Sequence, residues 1–143
     1  MNSTSRLDRL ASIVLLVGDV FVLALFVFLG ETDHAIADPQ PVLRLLVTTG
    51  EFALPWLIVA WVLGAYSAGL SARALLGRSL NTWLISAPLG VLLRSFVNGS
   101  EVIASLFLVV ATCIGGAMLL AWRFIFAWLW RSRVVHTQTG VKS

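Results

Sequence analysis

Four apolar stretches run along this chain, separated by short polar segments. They cover about residues 10–30, 42–66, 80–97 and 101–122, and an aromatic extension carries the last stretch to residue 130. At a rise of about 1.5 Å per residue, each helix would cross a hydrocarbon layer of roughly 30 Å. Backbone groups in lipid must be satisfied within the segment, which favours helices over strands. The pattern therefore predicts an all-α fold of four transmembrane helices in one membrane domain, residues 1–143.

Short connections and the placement of the arginines predict how these helices are arranged. Loops of about 11, 13 and 3 residues make sequential helices antiparallel neighbours, which gives an up-down-up-down bundle. Basic residues flank the first and fourth stretches at the chain ends and fill the second loop, whereas the other two loops are almost free of them. The positive-inside rule then predicts that both termini are cytoplasmic, with 131–143 as a flexible cytoplasmic tail. The residues that carry this asymmetry are Arg6, Arg9, Arg73, Arg78, Arg131, Arg133 and Lys142.

Composition supports a membrane protein and argues against other classes. Hydrophobic residues make up 59% of the chain and charged residues 12%, about half the charged fraction of soluble domains. The net charge of +3 does not form a basic patch, so we expect a lipid bilayer as partner and no nucleic acid. We also find no phosphate-binding glycine loop, no metal-spaced His/Cys group and no nucleophile elbow. The sequence therefore predicts that the protein is not an enzyme and holds no cofactor or metal.

The first stretch has a second interpretation, because Ala35-Ile36-Ala37 resembles the cleavage site of a signal peptide. The apolar run of about 20 residues is longer than a signal core, and the acidic stretch 31–34 precedes the candidate site. These features favour a retained first helix.

Asp19 is the most informative residue of the pattern. A carboxylate at the bilayer midplane costs about 2.5–3.5 kcal/mol on insertion scales, so it needs a compensating partner. Counted along the helices, Glu51, Arg94 and Glu101 lie in the outer half, with Asp19 just beneath them. We expect these residues to form a polar pocket with Arg94 as its fixed cation and His34 at its mouth.

The partner of Arg94 is left open by the sequence. A guanidinium that cannot deprotonate must find carboxylates or reach the membrane surface. Depth makes Glu51 the better partner and Asp19 the second, while Glu101 could pair with Arg94 across the short turn. In the alternative interpretation Arg94 reaches outward to Glu101 and serves folding only.

Two prolines and an aromatic cluster complete the pattern. Pro55 frees the backbone carbonyl of Glu51, and Pro88 frees that of Leu84, so both positions predict helix kinks. The kink at Glu51 could form a cation or proton site, or could be purely structural. At the inner end of the fourth helix, four side chains are expected to anchor the protein at the headgroup level. They are Trp122, Arg123, Trp128 and Trp130.

The order of these features resembles one known family. The shared features are Gly18-Asp19, the stretch from Phe26 to His34, the proline-bearing second helix, Trp83 through Pro88 to Arg94, and Ala121-Trp122-Arg123. They resemble the small four-helix prokaryotic membrane proteins known as domain of unknown function three-zero-five-four. The resemblance implies a multi-pass protein of the prokaryotic cytoplasmic (inner) membrane and brings no established activity. It also implies a recurring set of residues: Asp19, Gly30, His34, Pro55, Pro88, Arg94 and Arg123. Glu51 departs from the apolar or small residue expected there.

Two functional hypotheses follow from the sequence. In the first, the polar pocket of Asp19, Glu51, Arg94, His34 and Glu101 binds a small ligand or supports proton-coupled movement, and a homo-oligomer completes any transport pathway. In the second, the protein is a structural or accessory subunit whose buried polar residues hold helices or a membrane protein partner together.

Overall fold

Every regular element of the described chain is a helix. The computed structural model describes residues 3–31, 40–67, 70–99 and 105–139. Four helices are long and apolar enough to cross a membrane, which confirms the predicted fold class. The elements are α1 (Ser3–Glu31), α2 (Pro41–Val62), α3 (Ala72–Val97), α4 (Ser105–Val110) and α5 (Gly116–Thr139), with a π-helical turn (Ala111–Gly115) joining α4 to α5.

The helices form a closed antiparallel bundle. α1 packs against α2 and α5, and α3 packs against the same two helices from the other side. We call the end of the bundle that contains Gly30, Gln40 and Asn98 the distal end, and the opposite end, with the connection from α2 to α3, the terminal end. Large aromatic side chains such as Phe52, Trp56 and Trp83 fill the core between them.

The connection between α2 and α3 differs from the prediction. α2 ends at Val62, four residues before the predicted end, because Gly64 (φ +63°) stops it in a Schellman motif. The Ala65 N–H bonds the carbonyl of Ala60 at 2.8 Å, and the Gly64 N–H bonds that of Trp61 at 3.1 Å. The chain then turns back into the bundle, where Ala65 is fully buried.

Two helices are longer than the apolar pattern indicates. α3 begins at Ala72 instead of about residue 80, and the Ser71 hydroxyl caps it by accepting from the Ala74 N–H. α5 continues to Thr139, so residues 131–139 of the predicted tail 131–143 are helical. Polar side chains in the first turns of α3 and the last turns of α5 end the hydropathy signal without ending the helix. His34 and Glu101 lie outside the described residues.

Several close contacts in the described bundle depend on glycine. A side chain at Gly18 would overlap the indole of Trp122. Side chains at Gly115 and Gly116 would meet the indole of Trp83, at 2.6 and 2.7 Å. Small residues let helices and large aromatics pack closely in membranes, where lipid offers no hydrophobic drive for association.

Gly18→Ala is expected to lower the melting temperature of the protein in a neutral detergent. The added methyl displaces the Trp122 indole, which is wedged between α1 and α5, and overpacking of this kind typically costs about 1–3 kcal/mol. Gly30→Ala is the matched control, because nothing lies within 4 Å of the methyl group it adds on the same helix. Equal melting temperatures for the two variants would contradict the close contact at Gly18.

Candidate functional site

Asp19 forms an ion pair with Arg123 in the core of the bundle. The Arg123 Nε donates to Asp19 Oδ1 at 3.2 Å, and its Nη2 donates to Oδ2. Neither side chain is exposed. This side-on, two-pronged geometry satisfies both carboxylate oxygens, and charge-assisted bonds of this type are among the strongest in proteins.

Two aromatic side chains complete the surroundings of Asp19. Tyr66 donates its hydroxyl to Oδ2 at 2.7 Å, and the indole of Trp56 donates to the same oxygen at 3.1 Å. Burial raises the pKa of the Tyr66 phenol above its usual value, and the neighbouring Asp19 carboxylate raises it further. Tyr66 is therefore protonated at neutral pH and acts as a donor. Asp19 accepts four hydrogen bonds in all.

Arg123 connects this carboxylate to the rest of the bundle. Its Nη1 donates to the Ala65 carbonyl at 3.1 Å and to the Ser79 hydroxyl at 3.0 Å. The guanidinium carbon lies 5.1 Å from the ring centre of Trp56 and 5.0 Å from that of Tyr66, both within cation–π range. We refer to Asp19, Trp56, Tyr66, Ser79 and Arg123 as the core network.

The turn after α2 is held by side chains from three different helices. Its consecutive carbonyls accept hydrogen bonds from Arg78 of α3, Arg123 of α5 and Ser12 of α1, at 2.9, 3.1 and 3.0 Å. The accepting residues are Gly64, Ala65 and Tyr66. The early end of α2 therefore brings the Ala65 carbonyl and the Tyr66 side chain into the bundle, where they are partners for the buried Arg123 and Asp19.

The structure corrects three predictions. Asp19 does not pair with Arg94, and it is not part of an outer-half pocket, because Arg123 and the two aromatic donors fill its coordination. Arg123 is not an interface anchor, because it is fully buried against Asp19. The indole nitrogen of Trp122 is buried too, so it does not face headgroups. Trp128 is 65% exposed, and its anchoring role stays a prediction, as does that of Trp130.

Sequence reasoning missed the donors Trp56 and Tyr66 and the acceptor Ser79, which carry no charge to mark them in an apolar pattern. One signal for Arg123 was available. If the fourth stretch is counted to Trp130, Arg123 lies seven residues inside its end, too deep for an uncompensated charge. If Glu51 pairs with Arg94, Asp19 is the acidic residue near the bundle centre that is left to compensate Arg123.

Arg94 belongs to a second, separate cluster near the distal end. Its Nη1 donates to Glu51 Oε2 at 3.1 Å and to the Thr48 hydroxyl at 2.7 Å. Glu51 and Thr48 are buried, whereas the Arg94 side chain is 20% exposed. The pairing with Glu51, favoured by depth in the sequence, is confirmed. We refer to Thr48, Glu51 and Arg94 as the distal cluster.

The two prolines lie within helices that continue past them, Pro55 in α2 and Pro88 in α3. The backbone carbonyl of Glu51, which Pro55 leaves without its usual helical donor, faces Gly90 of α3. A Cβ at Gly90 would lie 3.2 Å from that carbonyl oxygen. This small residue lets α2 and α3 approach closely beside the distal cluster, and the kinks themselves stay predictions.

Two cavities adjoin the distal cluster. One, of about 630 Å³, lies between α2 and α3 at the distal end and has mixed polar and apolar walls. The other, of about 610 Å³, lies between α1, α2 and the region around the π-helical turn, and its walls are mostly apolar. Arg44, Thr48 and Arg94 line both cavities.

The region that contains both clusters matches a family model described as "Protein of unknown function (DUF3054)", over residues 16–126. The chain belongs to the DUF3054 family. No curated protein and no solved structure matches it.

The family description gives no activity, so the chemistry of this DUF3054 protein follows from its own residues. Of the residues that the resemblance implied as a recurring set, Asp19 and Arg123 contact each other, and Arg94 lies in the distal cluster. Within the described ranges, no three His, Cys, Asp or Glu side chains come together as metal ligands would.

Proposed function

We propose that this DUF3054 protein binds a small acidic ligand in the distal half of the bundle, at Arg44, Thr48 and Arg94. The observation that carries this proposal is that the same three side chains line two adjoining cavities. Arginine binds carboxylates and phosphates through parallel N–H donors, and a hydroxyl adds one further donor.

Charge supports an anion at this place. Among the described residues lining the two cavities, Arg44 and Arg94 carry positive charge and Glu51 carries negative charge. Glu51 and Thr48 also hold the Arg94 guanidinium in a defined position, which reduces the entropy lost when a ligand binds. The Arg94 guanidinium therefore resembles an oriented binding group more than a solvated surface arginine does.

The core network supports a role in folding instead of proton movement. A relay carboxyl needs room to exchange a proton with a neighbour, and Asp19 already accepts from Arg123, Tyr66 and Trp56. The accessory-subunit hypothesis thus retains support for this network alone, as a lock between the protein's own helices. We accordingly propose a binding protein and not an enzyme.

The proposal also includes the setting of the site. We place the protein in the prokaryotic cytoplasmic membrane as a multi-pass protein with both termini cytoplasmic, on the distribution of arginines along the chain. The distal end then faces outward, and both cavities lie in the outer half of the membrane.

Arg94→Gln is expected to lower the affinity for butyrate and butyl phosphate by at least tenfold, about 1.4 kcal/mol, because the charged donor is lost. Binding can be measured by saturation-transfer NMR on protein purified in a neutral maltoside detergent. Arg44→Gln is the second variant, since it leaves the Glu51–Arg94 pair intact and should also weaken binding.

Arg73→Gln is the matched control, because Arg73 is an exposed arginine at the terminal end and should bind both acids like the wild type. Wild-type affinity in both Arg94→Gln and Arg44→Gln would overturn the proposed site. So would the absence of binding to either acid by the unmodified protein.

A further inference from the structure

We infer that the acidic ligand is a long-chain fatty acid, with its carboxylate at Arg44 and Arg94 and its hydrocarbon chain in the apolar cavity. This inference rests on the proposed function and adds the class of ligand. It begins from the uneven distribution of polar groups around the 610 Å³ cavity.

The polar side chains of this cavity are confined to one part of its wall. Arg44, Thr48 and Arg94 come from α2 and α3, whereas the remaining wall is apolar or glycine. The apolar residues come from α1, α2 and the α4–α5 region and are Phe26, Val27, Leu29, Phe52, Phe107, Val110, Ala111, Ile114 and Met118. A ligand that fits this wall carries one polar end and one apolar end.

Aromatic contacts place Arg94 at the boundary between the two parts. Its guanidinium carbon lies 5.7 Å from the ring centre of Phe107, which belongs to the apolar wall. Phe26 and Phe52, which also line this cavity, meet edge to face with ring centres 5.7 Å apart. A carboxylate held by Arg94 would therefore have its chain directed along aromatic and aliphatic surface.

The size of the cavity argues against a free inorganic anion. Its volume of about 610 Å³ lies in the range of roughly 300–1,000 Å³ that drug-sized organic ligands occupy. An anion alone would fill a small part of this space and leave most of the apolar wall without contact to the ligand. A hydrocarbon chain makes van der Waals contacts with those walls in proportion to the area that it covers.

The charge of the walls favours a carboxylate over a phosphate monoester. Glu51 lines the polar-walled cavity 3.1 Å from Arg94, and its carboxylate repels a more highly negative head group more strongly than a singly charged one. A fatty carboxylate carries one negative charge, whereas a phosphate monoester carries about −1.5 to −2 at neutral pH. The polar-walled second cavity of 630 Å³ connects the same arginines with the distal end of the bundle.

The test compares chain lengths and two matched variants. Butyrate, octanoate, dodecanoate and hexadecanoate are added to the intact protein in maltoside detergent, and bound acid is measured by native mass spectrometry. Ile114→Trp places a large ring in the apolar cavity. Ile125→Trp is its control, because it makes the same change at an isoleucine of similar exposure. Ile114 is 52% exposed and Ile125 is 48% exposed, and only Ile114 lines the cavity.

We expect hexadecanoate to bind at least a hundredfold more tightly than butyrate. Ile114→Trp should lower the hexadecanoate affinity at least tenfold and leave butyrate within twofold, whereas Ile125→Trp should change neither. Both variants are measured in the same detergent, so partition of the acid into micelles affects them equally and does not change their comparison. Hexadecanol and hexadecyl phosphate, with a neutral and a more highly charged head, should both bind more weakly than hexadecanoate.

Several outcomes would overturn the fatty-acid assignment while leaving the proposed function intact. They are equal affinity for butyrate and hexadecanoate, an Ile114→Trp variant that binds hexadecanoate like Ile125→Trp, and hexadecyl phosphate binding more tightly than hexadecanoate. If hexadecanol binds as tightly as hexadecanoate, the assignment of an acidic head group is wrong. Failure of every acid to bind, at any chain length, would overturn the proposed function as well.

Discussion

Asp19→Asn is expected to destabilise the protein more than any other single conservative substitution in the bundle. The change removes the negative charge and places an amide N–H₂ among donors from Arg123, Tyr66 and Trp56. Breaking a buried ion pair from one side typically costs about 3–5 kcal/mol, because the remaining charge is left uncompensated. A large fall in melting temperature in detergent, or loss of the monodisperse peak in size-exclusion chromatography, would report it.

The control for this prediction is Asp8→Asn, which removes an exposed carboxylate from the same helix and should leave the melting temperature close to that of the wild type. The double variant Asp19→Asn/Arg123→Gln removes both charges and should recover part of the loss, since no unpaired ion remains. If Asp19→Asn melts like Asp8→Asn, the core network does not hold the bundle together.

Trp83→Ala is the second substitution with a large expected effect. The Trp83 indole is buried against Trp56, with ring centres 6.0 Å apart, and lies against Gly115 and Gly116. Its Nε1 donates to the Thr112 carbonyl at 2.7 Å, within the π-helical turn. Loss of a buried tryptophan leaves a cavity that costs about 3–5 kcal/mol, so we expect a fall in melting temperature close to that of Asp19→Asn.

Trp61→Ala provides the matched control, because Trp61 is 80% exposed on α2 and should tolerate truncation. Trp83→Phe separates the two contributions of Trp83, since it keeps an aromatic ring and removes the N–H donor. We expect an intermediate melting temperature for it, because the part-buried Thr112 carbonyl loses the indole donor but keeps the Gly116 N–H, at a cost of about 0.5–1.5 kcal/mol. A Trp83→Ala variant that melts like Trp61→Ala would contradict the packing around the π-helical turn.

The core network and the distal cluster differ in what their arrangement allows. In the core network, side chains of α1, α2, α3, α5 and the turn after α2 act as donors and acceptors for one another. Asp19 and Arg123 are both fully buried. In the distal cluster, the arginine is partly exposed and lines two cavities. The first arrangement is suited to holding helices together, and the second is suited to recognising a ligand.

The difference explains why Asp19, the residue that the sequence singles out most strongly, is not in the proposed binding site. A charge in an apolar helix must be compensated, but compensation by the protein's own arginine leaves little for a ligand. Depth along each helix placed Glu51 and Arg94 together correctly, because both are close to the same end of neighbouring antiparallel helices. Depth also placed Asp19 just beneath Arg94 and placed Arg123 at the inner membrane surface, so it did not identify Arg123 as the partner of Asp19.

The rotation of each helix about its axis and the path of the turn after α2 determine the partner of Asp19. Arg123 faces Asp19 across the α1–α5 contact, and the turn after α2 supplies Tyr66 from a position that looked like the end of a membrane span. The early stop of α2 depends on Gly64, whose positive φ allows the chain to turn back into the bundle. An apolar pattern records where a segment can lie in lipid, and it continues through such a turn without a break.

The sequence by itself determined the four membrane-spanning helices, because their length and apolar character follow from the thickness of a bilayer and the need to satisfy the backbone inside it. It also determined that Arg94 and Glu51 could meet. Only the tertiary structure decided that Asp19 pairs with Arg123 and that Arg44, Thr48 and Arg94 share two cavities. Those facts depend on which faces of the helices meet, and helix rotation is set by the packing of Gly18, Trp122, Trp83 and their neighbours across the whole bundle.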